Sequence, residues 1–135
     1  MNLQQHVRTA AAELLRRFDQ QVRQAMLLPD EAAIHDLRVS IRRLRECLAT
    51  FAAIFPARPS KQIRKQLRKI MKRAGRVRSC DIALELLKQA GVGQADPLSQ
   101  EIQHTRGVER TALLKELTKL GSSSYSARWK ASLLQ

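Results

Sequence analysis

Apolar residues recur every three to four positions along most of the chain, the spacing of one face of an α-helix. Short stretches rich in proline, glycine, aspartate or serine interrupt the pattern and divide it into four helices. The first runs from Leu3 to Leu27 on Val7, Ala11, Leu14, Phe18, Val22 and Met26, and stops before Pro29 and Asp30. The second runs from Asp30 to Phe55 on the near-heptad row Ile34, Leu37, Ile41, Leu44, Leu48, Phe51 and Phe55, closed by Pro56 and Pro59. Ser60 has the chemistry of an N-cap for the third, which carries Ile63, Leu67, Ile70, Ala74 and Val77 and continues through Ile82, Leu84 and Leu87 to Gly91 and Gly93. Asp96 followed by Pro97 marks the start of the fourth, with Ile102, Leu113, Leu117 and Leu120 on its apolar side. The run Gly121, Ser122, Ser123 and Ser124 is expected to break or fray that helix before Tyr125, Trp129, Leu133 and Leu134 resume an apolar face.

Four amphipathic helices with short connections imply an all-α antiparallel four-helix bundle formed by residues 1–135 as a single domain. At 44% apolar residues, 135 positions suffice for a core without disulfide or metal staples. Cys47 and Cys80 lie within helical stretches, lack metal-ligand spacing and read as small apolar residues in a reducing compartment. There is neither an apolar run of signal-peptide length after Met1 nor a window long enough to span a bilayer, so the expected location is the cytoplasm.

Charge changes the picture. Lys and Arg total 25 against 12 Asp and Glu, a formal +13. From His35 to Arg78 the chain holds 14 Lys and Arg but only Asp36 and Glu46 as acids, so nearly all of the excess belongs to the second and third helices. On the second, His35, Arg38, Arg42 and Arg45 share one arc beside the apolar row, while Arg43 points elsewhere. On the third, Lys65, Lys69, Lys72 and Arg76 form a comparable stripe with Arg68 at its edge and Arg64, Arg73 and Arg78 scattered around it. Like charges one turn apart cost a helix roughly 0.2–0.5 kcal/mol per pair, and solvated basic faces normally intersperse acids that are nearly missing here. A polyanion held between the two stripes would remove that cost. Arginine forks donate two hydrogen bonds to phosphate oxygens, and lysine adds a mobile point charge.

The run His35-Asp36-Leu37-Arg38-Val39-Ser40-Ile41-Arg42-Arg43-Leu44-Arg45 resembles the signature of the CHAD family of helical domains, in its His-x-x-Arg-Val-x-x-Arg-Arg-Leu-Arg order. The stretch from Leu67 to Leu87, centred on Gly75-Arg76-Val77-Arg78-Ser79-Cys80-Asp81, is similar to the family's second segment, and Ser123 to Tyr125 is a looser match. The resemblance implies binding of inorganic polyphosphate by His35, Arg38, Arg42, Arg43 and Arg45, faced by Lys65, Arg68, Lys69, Lys72 and Arg76, with Arg106 and Arg110 as weaker additions. It implies no cofactor. Ser79 departs from the family, which commonly has an acid at that position, while Asp81 is kept. Length departs further: family members usually contain two such bundles lining a shared channel, so this chain corresponds to half a domain and is expected to form a homodimer.

Two other functions meet the same cations less well. Nucleic acid offers a phosphate backbone, but only 4% of residues are aromatic, and Phe51 and Phe55 continue an apolar row instead of interleaving with the cations. A phosphate-processing enzyme would use carboxylates to hold Mg²⁺, and the basic segment offers Asp36 and Glu46 with Asp81 just beyond. His6, His35 and His104 fall on three different helices with no zinc spacing, and Gly91-x-Gly93 reads as a helix stop rather than a phosphate loop. A non-catalytic binding domain is therefore expected. Tyr125 and Trp129, one turn apart, are expected to pack rather than stack on a ligand.

Overall fold

The computed structural model describes residues 1–134 and folds them into helices α1 (Leu3–Leu27), α2 (Glu31–Thr50), α3 (Ala57–Gln89), α4 (Pro97–Gly121) and α5 (Tyr125–Leu134), with a 3-10 turn at Ala52–Ile54. Local chemistry sets most ends. Asn2 caps α1 by accepting from the Gln5 amide at 2.9 Å, and the Gln5 side chain accepts from the Asn2 amide at 2.9 Å. Asp30 accepts from Ala33 N at 2.8 Å at the start of α2, and Asp96 accepts from Leu98 N at 2.9 Å, with Pro97 at the first position of α4. Gly91, at φ +81°, adopts the left-handed turn that ends α3, and Ser124, at φ +53°, turns the chain into α5.

Three boundaries differ from the sequence-based expectation. The second helix ends at Thr50, and Phe51 to Phe55 tighten into the 3-10 turn that buries Phe55. Ser60 is not an N-cap: α3 begins at Ala57, Pro59 sits in its first turn where no donor is needed, and Ser60 is buried with its amide bonded to the Pro56 carbonyl at 3.1 Å. Helix α4 runs through Gly121, and Ser122 to Ser124 form a true break, so the fourth predicted helix is two.

One core joins all five helices. Ile34, Leu37, Ile41, Leu44 and Leu48 of α2 and Ile63, Leu67, Ile70, Ala74 and Val77 of α3 are buried as their spacing predicts. On α1 the buried row runs through Leu15 and Ala25, while Leu14 is half-buried and Met26 exposed. Ile82 is exposed because it lies beyond the start of α2. Consecutive helices pack on each other, α1 on α2, α2 on α3 and α3 on α4, while α4 and α5 both return to α1. The cross-links Lys69–Glu116 and Arg106–Asp81 run in opposite directions along α3 and α4, which makes that pair antiparallel. The Phe18 ring stacks on Trp129 at 5.9 Å and meets Tyr125 edge-on at 6.0 Å, and Tyr125 donates to Asp19 at 2.6 Å, fastening α5 to α1. Burial, reinforced by that bond to Asp19, pushes the Tyr125 phenol well above its ordinary range.

Candidate functional site

The two basic helices meet along a seam. Towards the end where the chain passes from α2 to α3 lies a groove of about 290 Å³ lined by Arg42, Arg45, Glu46 and Ala49 of α2 and by Arg64 and Arg68 of α3. The position of each arginine follows from helical periodicity. Glu31, His35, Arg38, Arg42, Arg45 and Ala49 descend one flank of α2, and Arg64, Arg68, Met71, Gly75 and Arg78 descend the facing flank of α3. Arg78 donates to Glu31 at 2.8 Å and fixes the register at the far end of the seam.

Four arginines of the groove stand against one acid, Glu46. Among the described residues, none of Arg42, Arg45, Arg64 and Arg68 makes an ion pair, Glu46 included. Arg45 and Arg64 are half-buried, so their stems pack on the helices while their heads share one concavity. The Nε atoms of Arg38 and Arg64 are buried and have no hydrogen-bond partner in the chain. Four guanidinium groups with little countercharge repel one another, and a multidentate anion lowers that energy more than any single acid could.

The sequence-predicted residues divide between this groove and other surfaces. Arg38, Arg42, Arg45 and Arg68 lie on the seam, with exposed His35 one turn beyond Arg38. Arg43 is on the opposite flank of α2, where it borders a cleft with Arg16, Arg17 and Asp36 of α1 and α2. Lys65, Lys72 and Arg76 are exposed on the arc of α3 turned away from the core and sit outside the groove. Lys69 belongs to the α4 side, 3.5 Å from the buried Glu116. Arg106 is committed to Asp81 at 2.5 Å with both side chains largely buried, and Arg110 is exposed one turn further along α4. Arg64, set aside as scattered in the linear reading, lines the groove. The row Arg64, Arg68, Met71, Gly75 and Arg78 was the signal for it. Both cysteine thiols are pushed above their ordinary range by burial, as suits packing residues.

Fold and site together define a helical domain whose positive charge is collected along one helix pair. The chain belongs to the CHAD domain family, whose model matches residues 5–135. No curated protein and no solved structure matches it.

Proposed function

We propose that this chain binds inorganic polyphosphate along the α2–α3 seam and holds it without cleaving it. The observation that carries this reading is the groove in which Arg42, Arg45, Arg64 and Arg68 converge without an ion-pair partner among the described residues. Guanidinium forks about one helical turn apart, about 5.4 Å along each helix, can each take a different phosphate of a flexible chain. The exposed cations Lys65, Lys72 and Arg76 surround the groove with a longer-range field that draws the polymer in before the forks fix it. Binding rather than turnover suits a lining whose one carboxylate is Glu46, too few to hold the Mg²⁺ that phosphoryl transfer uses.

A family built on paired basic surfaces favours a second copy on the same polymer, giving a homodimer bridged by ligand. Light scattering with and without polyphosphate checks this: a dimer is expected in at least one condition, and a monomer in both excludes it. The ligand itself is tested by competition in cytoplasm-like salt. Polyphosphate is expected to resist displacement by RNA or DNA at equal phosphate concentration, and efficient displacement would reassign the groove to nucleic acid.

A further inference from the structure

A cavity of about 600 Å³, larger than the arginine groove and sharing no lining residue with it, opens on the other flank of α3, where the first half of that helix meets the end of α4 and α5. Its lining changes with depth. Ile63, Leu120 and Glu116 are buried and form the floor, and Trp129 is half-buried in the wall. Lys69, Lys119 and Arg128 are exposed at the rim, where Arg128 donates to Ser123 Oγ at 2.9 Å.

Glu116 sets this cavity apart from a solvated polar cleft. Its side chain is 9% exposed, and the one cation within ion-pair distance among the described residues, Lys69, stands 3.5 Å away and is itself 55% exposed. Charge-assisted hydrogen bonds are about 2.7–2.9 Å long, so this carboxylate is withdrawn from water without a close donor. Asp81, the comparable buried acid, has a guanidinium at 2.5 Å. Packing does not call for an acid here, since the neighbouring inward positions of α4 are Leu113, Leu117 and Leu120. An apolar floor holding one carboxylate, an indole in the wall and a cationic rim match the parts of a nucleotide, with a flat base inside and phosphates outside. The carboxylate narrows the base. Guanine presents two adjacent donors, N1–H and the N2 amino group, to its two oxygens. Adenine and cytosine set their one amino group beside a ring-nitrogen acceptor, and uracil flanks its one N–H with two carbonyls.

We propose that this cavity binds a guanine nucleotide carrying two or more phosphates. Guanine N1–H and N2–H donate to Glu116, the base lies against Ile63, Leu120 and Trp129, and the phosphates meet Lys69, Lys119 and Arg128 at the rim. The site stands independently of the polyphosphate reading.

Trp129 is the single tryptophan of the chain, so its fluorescence reports this cavity and not the arginine groove. The test is titration of the full chain with GDP, ADP and inorganic pyrophosphate at constant ionic strength, read by Trp129 quenching and checked by calorimetry. Saturable one-to-one quenching by GDP is expected, with ADP at least about tenfold weaker, the discrimination of one bidentate contact to a base edge. Glu116→Gln should weaken GDP about tenfold and erase its preference over ADP without weakening pyrophosphate. Lys119→Gln should weaken GDP and ADP alike, by several-fold, while Arg64→Gln and Arg68→Gln leave both unchanged. Should Glu116→Gln fail to fold, the wild-type comparison of GDP with ADP and the exposed-site variant Lys119→Gln keep the test decisive. Equal binding of GDP and ADP, quenching that pyrophosphate matches, or a guanine preference that survives Glu116→Gln would overturn the assignment.

Discussion

The two parts of α3 face different surroundings and carry opposite charge. Up to Arg78 the helix is covered by α2, and its seam flank bears Arg64 and Arg68 beside the buried row Ile63, Leu67, Ile70, Ala74 and Val77. Beyond Arg78 it outruns α2 by 11 residues, and the same flank presents Ile82 and Leu86, exposed by 46% and 59%, next to Glu85. At 33 residues α3 is about 50 Å long, whereas the 20 residues of α2 reach about 30 Å. A single uninterrupted helix thus separates a basic, covered surface from an acidic, uncovered one. The difference teaches that net charge alone describes this molecule badly: from His35 to Arg78 the chain has 14 Lys and Arg against two acids, whereas from Ser79 to Thr105 it has four acids against Lys88.

The sharpest way to break the comparison is to truncate the same side chain in each part. Leu67→Ala removes a fully buried residue and should cost about 2–5 kcal/mol in denaturant unfolding, while Leu86→Ala should stay within about 0.5 kcal/mol. Equal costs would mean that the end of α3 is covered after all. A smaller contrast comes from the two cross-links to α4. Arg106→Ala strands the buried Asp81 carboxylate and should cost about 3 kcal/mol, whereas Lys69→Ala removes a lysine that is 55% exposed, 3.5 Å from its partner, and should cost under about 1 kcal/mol. Thermal melts of both variants measure the difference.

The smallest effect is a pH effect on α1, remote from both surfaces. Hydrogen bonds from Arg16 and then Arg17 hold the Glu13 carboxyl down at about 2, from 4.5. A depressed folded-state value contributes stability above about pH 4.5 that is lost as pH falls toward 2. Since Glu13 is exposed, salt should screen the bonds and return its NMR titration midpoint toward the ordinary range. A midpoint that ignores salt would contradict this explanation.

Much of the fold was legible because proline, glycine and capping side chains act locally. The limits Leu3 and Leu27 of α1 and the cap at Asp96 follow from neighbours within a few residues. Ser60 misled because Pro56 and Pro59 both suit a helix start, and only packing decides between them. Leu14 and Leu15 are adjacent, so a small rotation of α1 determines which is buried. For the site, periodicity correctly grouped His35, Arg38, Arg42 and Arg45. The stripe Lys65, Lys69, Lys72 and Arg76, expected to face them, lies about 100° round α3 from the flank of Arg64 and Arg68 that does so, and charge periodicity alone does not choose between the two. The neighbour decides, and α2 covers the Arg64 flank.

The central claim is that the seam arginines, more than the total charge, hold the phosphate polymer. It is tested by measuring polyphosphate affinity across a salt series for the wild type, for the groove variant Arg42→Gln, Arg45→Gln, Arg64→Gln, Arg68→Gln, and for a control with Lys65, Lys69, Lys72 and Arg76 each changed to Gln. Both variants remove four charges. The account predicts a steep salt dependence in the wild type and a loss of affinity in the groove variant at least about tenfold greater than in the control, with the helical circular-dichroism signal kept in both. Equal losses, or a greater loss in the control, would contradict it.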